Sequence, residues 1–180
     1  LVVFDVATGC LAAYPVKDKS VAETAKRLTH FRGKDKIRFF FSDKHASLVA
    51  AVERIGNGSI PHEVSVPGVH QTNSIAESKV KKVIAGTRVA LRQAGLPACF
   101  WPFAAEHYAF MATAHENETQ PAYFNRHGRY FKGPLIPFGA GVDVIPSPIA
   151  RQPKKFAPRA VPSVFLGYVL QPGQKWKGEF

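Results

Sequence analysis

Asp43 closes a mostly apolar run ending Phe39-Phe40-Phe41-Ser42, and Glu77 lies in the opening turn of a long helical pattern, with 33 residues between the two carboxylates. A carboxylate at a strand end and another in a first helical turn each project from a rigid element, so both can reach a shared cleft. Their hard oxygens suit magnesium or manganese. Magnesium retains several waters, so two or three carboxylates and a substrate phosphate complete its shell. Two such ions can activate a nucleophile and stabilise a leaving oxygen during in-line attack at phosphorus. Taken singly, each residue has a plainer role: an Asp after a strand caps the next helix, and a Glu in a first turn complements the helix dipole.

The surrounding residues sharpen the chemistry. Lys44 follows Asp43, and Lys79, Lys81 and Lys82 follow Glu77 on the same helical pattern. Lys81 stands one turn beyond Glu77, where an i,i+4 pair contributes only about 0.2–0.5 kcal/mol. Contact with a phosphate backbone is the reading with functional content for these lysines, and a solvated helix face is the alternative. Gln71, Thr72 and Asn73 immediately precede the helix and line the cleft if Glu77 is catalytic. His45, His62 and His70 lack zinc-ligand spacing and read as loop or surface histidines. Asp5 is a further carboxylate, with a plainer role as a turn residue bonding nearby backbone.

The elements that must carry these residues follow from hydrophobic periodicity. Leu1 to Val6 and Cys10 to Val16 form a hairpin around Ala7-Thr8-Gly9. Ser20 caps a helix through Phe31 that ends near Gly33, with Val21, Ala25 and Leu28 at helical spacing. Ile37 to Ser42 is a buried strand delivering Asp43, a helix spans about His45 to Ile55 and stops at Gly56-Asn57-Gly58, and Ile60 to Val66 returns as a strand. Ser74 to Ala94 is the longest helical pattern, followed by an aromatic-rich helix from about Phe100 to His115. Its aromatics read as core or subunit interface.

Composition bounds the rest. The chain has 180 residues, 46% of them hydrophobic, enough for a core, which suggests one domain plus an appendage. Its 24 basic and 13 acidic residues leave +11, which favours a polyanionic partner such as nucleic acid. With only Cys10 and Cys99 there is no disulfide framework, so a reducing compartment is expected. No apolar run is long enough to span a membrane, and no signal-peptide pattern opens the chain. Leu1 begins directly on a strand pattern, so a fragment of a longer polypeptide is expected. Nine of the fourteen prolines lie after residue 120, which predicts loops and short strands there, including Ser163 to Leu170. Arg151, Lys154, Lys155 and Arg159 make a basic stretch in this tail that reads as a DNA grip or a solvated linker.

Phe40-Phe41-Ser42-Asp43, then Ile60-Pro61-His62-Glu63-Val64-Ser65-Val66-Pro67, then Gln71-Thr72-Asn73-Ser74-Ile75-Ala76-Glu77 resembles the integrase core of retroviruses and copia-type retrotransposons. The likeness continues through Leu96-Pro97, Phe100-Trp101 and Ala104-Ala105. In the tail it includes Pro137-Phe138-Gly139, Lys155-Phe156-Ala157-Pro158-Arg159 and Phe165-Leu166-Gly167-Tyr168. The resemblance implies an α/β fold, an RNase H-like mixed sheet flanked by helices, with a Pro-rich C-terminal extension containing short strands. It divides the chain into an N-terminally truncated catalytic core over 1–120 and a basic post-core extension over 121–180.

It further implies metal-dependent polynucleotidyl transfer, 3′-end processing and strand transfer during DNA integration. Asp43 and Glu77 would be catalytic metal ligands, Mg2+ or Mn2+ the cofactor, and Lys44, Gln71, Asn73, Lys79, Lys81 and Lys82 the DNA contacts. A first catalytic Asp would precede Leu1, and Asp5 would not take its place. The implied partners are DNA, the remainder of a Pol-like polyprotein and further copies in a homo-oligomer, with no membrane. The implied location is intracellular: a cytoplasmic particle, then the nucleus at integration. Two departures matter: the spacing from Asp43 to Glu77 is slightly short, and Lys44-His45-Ala46 replaces the family's Asn-Gly after its second Asp. A catalytically decayed remnant that only binds nucleic acid is the alternative.

Overall fold

The computed structural model describes residues 1–65, 74–115, 120–147 and 156–180. Its centre is a hairpin of β1 (Val2–Phe4) and β2 (Leu11–Ala13), antiparallel in the register Val2↔Ala13, Val3↔Ala12, Phe4↔Leu11. Alternate side chains of a strand point to opposite faces, and here both faces are covered. Cys10, Ala12 and Tyr14 with Val3 enter one hydrophobic cluster, while Leu11 and Ala13 with Val2 and Phe4 enter another.

Two helices cover the first face. α1 (Val21–Arg32) contributes Ala25, Leu28 and Phe31, after Ser20 accepts the Glu23 N–H at its start. β3 (Phe40–Ser42) and α2 (Ala46–Gly56) follow, and α2 adds Ala51 and Val52. Burying side chains of the size of Leu28 or Phe31 stabilises by about 1.5–3 kcal/mol each. α2 ends where Asn57 turns left-handed at φ 48°, and β4 (His62–Val64) returns parallel to β3 in the register Phe40↔His62, Phe41↔Glu63, Ser42↔Val64. The strand–helix–strand order expected from periodicity is present, with each strand only three residues long.

α3 (Ser74–Ala94) and α4 (Trp101–His115) cover the second face through Val83, Ala105 and Ala109. Their approach is close at Gly86, where a Cβ would stand 2.1 Å from the Tyr108 ring. The aromatics of α4 divide: Phe110 is buried, whereas Trp101 and Phe103 are about half exposed, at 50% and 47%. The order helices, hairpin, helices makes a mixed α/β protein with three layers. Among the described residues the strands pair two by two and do not form one continuous sheet.

The chain after residue 120 packs on this body. α5 (Ala122–His127) leads to β5 (Gly141–Val144) paired with β6 (Val161–Val164), then β7 (Leu170–Gln171) paired with β8 (Lys175–Trp176). The strand expected over Ser163 to Leu170 is therefore split between β6 and β7. Phe110, Ala114 and Tyr123 form a third cluster covered by Phe131, Tyr168, Leu170 and Trp176. At the far end, the Gly173 N–H donates to the His30 carbonyl at 2.7 Å, and Gln174 Nε2 donates to the Tyr14 hydroxyl at 2.7 Å. Among the described residues no helix is long and apolar enough to cross a membrane.

Candidate metal centre

Asp43 sits at the C-terminal ends of the parallel pair β3–β4, the edge at which parallel α/β units bind ligands. The ladder extends one step past the strands, because the Ser65 N–H donates to the Ser42 carbonyl at 2.9 Å. That step brings Ser65 beside Asp43. Its hydroxyl donates to Asp43 Oδ1 at 3.0 Å, and the Lys44 N–H donates to the same oxygen at 2.9 Å. Oδ2 accepts no hydrogen bond among the described residues, and Asp43 is exposed. One oxygen is thereby oriented, and the other is unengaged among the described residues.

The capping role that would explain Asp43 without chemistry belongs to its neighbour. His45 is the N-cap of α2, its side chain accepting the Ser47 N–H. The Asp43 main-chain carbonyl accepts the His45 N–H at 2.8 Å, and its side chain accepts from no N–H of α2 among the described residues.

A second hydrogen-bonded chain braces the strand end from beneath. The Ser42 hydroxyl donates to the Asp43 carbonyl at 2.9 Å and meets His62 Nε2 at 2.9 Å. With its one proton committed, Ser42 Oγ accepts from Nε2, which assigns the Nε2–H tautomer to His62. Burial lowers the His62 pKa below its ordinary value, favouring that neutral ring, which stands edge-on to Phe40 with centroids 5.4 Å apart. His62 thus has a structural partner, and His45 a capping one.

Glu77 is exposed in the first turn of α3. Among the described residues no hydrogen bond joins it to Asp43, it makes no ion pair with Lys81, and no three His, Cys, Asp or Glu side chains gather into a metal-sized cluster. Asp5 is occupied elsewhere: its carboxylate accepts the Ala7 N–H at 3.0 Å and the Thr8 hydroxyl at 2.6 Å, closing the β1–β2 turn. Lys44 and Lys81 are exposed and Lys82 half-buried. Lys79 differs, because its ammonium lies 4.1 Å from the centre of the Phe4 ring, a cation–π contact that holds α3 to β1. Gln71, Thr72, Asn73 and His70 lie outside the described residues, as do Arg151, Lys154 and Lys155.

Ser65 and the Ser42–His62 couple do not stand out in the sequence as candidates for chemistry. Their signal is the parallel register, which pairs residues about twenty positions apart across a helix. No protein-family model matches the chain, and no curated protein matches it in sequence.

Proposed function

We propose that this chain is the core of an integrase-type polynucleotidyl transferase with an RNase H-like fold, acting on DNA ends with Mg2+ or Mn2+. The observation that carries the reading is Asp43: a carboxylate at the C-terminal end of a parallel strand pair, relieved of capping by His45, with Oδ1 held by Ser65 and the Lys44 N–H and Oδ2 unengaged among the described residues. An open carboxylate oxygen of this kind fits a hard cation that keeps part of its water shell. Asp43 and Glu77 would hold such a cation, which when bound supplies charge stabilisation to in-line displacement at phosphorus.

The chain's own residues would orient and bind. Ser65 and the Ser42–His62 couple keep Asp43 in place, and Lys44 and Lys81 meet the sugar–phosphate backbone, supplying affinity without sequence information. The RNase H-like reading also requires a further strand to unite β1–β2 with β3–β4. The outer edge of β2 is closed at Leu11 by Thr113, whereas the outer edge of β1 has no strand partner among the described residues.

The test is 3′-end processing and strand transfer by the polypeptide that carries this chain, on DNA-end substrates with Mg2+ or Mn2+. Wild type is compared with Asp43→Asn and Glu77→Gln. Loss of both reactions in each variant, with DNA binding retained, is the expected result. Activity insensitive to both substitutions refutes the assignment. A second reading is favoured by Lys44, a cation directly beside the carboxylate: a remnant that binds nucleic acid without catalysis. DNA binding with neither reaction in any variant selects it.

A further inference from the structure

Three separate segments meet at the C-terminal end of α1. Gly33 follows α1 and touches the β7–β8 turn so closely that a Cβ on it would stand 2.7 Å from the Gly173 backbone. The Gly173 N–H donates to the His30 carbonyl, and His30 Nε2 meets the Leu170 carbonyl at 3.0 Å. α5 joins from the other side: Arg126 donates to the Phe31 and Arg32 carbonyls and pairs with Asp35 at 2.9 Å. The segment after α5 is fastened to the same hairpin, with the Phe131 and Trp176 rings 5.2 Å apart.

Each segment brings exposed cations to this junction. Lys34 and Lys36 follow Gly33, Lys175 follows the β7–β8 turn, and Lys132 follows Phe131; all four are exposed. Asp35, the acid between the first two lysines, is already paired with Arg126. Glu179, the other acid close by in sequence, lies three residues beyond Trp176 and accepts the indole N–H through its main-chain carbonyl. The local field registers on His127, whose pKa falls to about 4 through burial first and then the charges of Arg126 and Lys175. Residues 30–37 and 171–179 expose no large apolar side chain, whereas Tyr130 and Leu135 on either side of Lys132, and Phe180, are about half exposed. Exposed lysines brought together from separate segments suit a polyanion.

We infer that Lys34, Lys36, Lys132 and Lys175 form a composite binding surface for the sugar–phosphate backbone of a nucleic acid, assembled only when the β7–β8 hairpin docks on α1. It shares with the proposed metal centre the class of ligand and none of its residues. The lysines fix no base identity, so the surface takes single strands and duplexes through the same phosphates, RNA or DNA.

The experiment is fluorescence anisotropy with labelled single-stranded and duplex oligonucleotides and with polyglutamate, across a salt series. Variants are K34E/K36E, K132E/K175E and, as a matched charge reversal at the opposite end of α1, K17E/K19E. All six side chains are exposed, and unchanged far-UV circular dichroism and thermal melts verify the fold. The first two variants are expected to bind about tenfold or more weakly and to flatten the duplex salt slope by about 0.9 for each phosphate no longer neutralised. K17E/K19E should change affinity about twofold or less. Equal weakening in all three variants, or no nucleic-acid binding at low salt, overturns the inference. So does polyglutamate binding as tightly with the same sensitivity, which assigns the surface to an acidic protein. The weakening by K34E/K36E and K132E/K175E is expected equally with divalent ions chelated, so failure of the metal-centre assignment is read separately.

Discussion

Replacing Thr113 by Val tests the packing of the hairpin against α4. Thr113 is 1% exposed, and its hydroxyl both accepts the Leu11 N–H at 2.9 Å and donates to the Leu11 carbonyl at 2.9 Å. One side chain therefore satisfies the two main-chain groups that an adjoining strand would otherwise take from the outer edge of β2. Val retains the β-branched shape and leaves both groups without partners in the interior. An unsatisfied buried backbone group costs about 1–3 kcal/mol, so the pair predicts a loss of about 2–6 kcal/mol. Thr113→Ser retains the hydroxyl and removes one methyl, predicting a loss of about 1 kcal/mol. Urea denaturation of both variants measures the losses, and amide exchange at Leu11 reports the edge directly. A Thr113→Val loss below about 0.5 kcal/mol, or a larger loss in Thr113→Ser than in Thr113→Val, refutes the reasoning.

Ser65→Ala removes one of the two donors to Asp43 Oδ1. It should weaken Mn2+ binding in a calorimetric titration while leaving the melting temperature nearly unchanged; unaltered metal affinity would remove Ser65 from the site. Gly33→Ala combines φ +60° with a Cβ at 2.7 Å from Gly173 and should cost about 1–3 kcal/mol, with faster proteolysis in the β7–β8 hairpin. His127 binds protons less readily in the fold than in the unfolded chain, because its pKa is lowered to about 4 from 6.5. Its contribution to stability is therefore fully present above about pH 6.5 and is lost as pH falls towards 4. His127→Gln should flatten the stability profile in that window, and a profile as steep as wild type contradicts the assignment.

The parts of this fold legible in sequence depend on neighbours within a few residues. Val21, Ala25 and Leu28 mark the buried stripe of α1, Ser20 its cap and Gly33 its end, because helical contacts repeat every three or four residues. β2 is harder to assign: Leu11 to Tyr14 is apolar without alternation, and the reason is burial of both faces between α1–α2 and α3–α4. Asp43 and Glu77 are visible as carboxylates at element ends, and the plainer reading of Asp43 as a cap is equally visible. In the structure His45 takes the cap, and the Asp43 side chain accepts from Ser65 and the Lys44 N–H instead.

The remaining site chemistry depends on pairings that no local pattern encodes. Ser65 reaches Asp43 across 22 positions only because β3 and β4 run parallel, and a parallel pair needs a crossover, here supplied by α2. A one-residue slip in that register would turn Ser65 away and place a neighbour of opposite orientation beside the carboxylate. The same applies more strongly to the β7–β8 hairpin, whose Gly173 meets Gly33 from 140 positions away. Proline content correctly forecasts short strands after residue 120, but not that Tyr168 and Trp176 complete a cluster begun by Phe110. Composition reports that a segment cannot form long helices; only the complementary apolar face of α4 determines where its aromatics dock. The tail is consequently coupled to the core through the same helix that closes the edge of β2, so loosening α4 at Thr113 should lower hydrogen-exchange protection in β7–β8 as well as at Leu11.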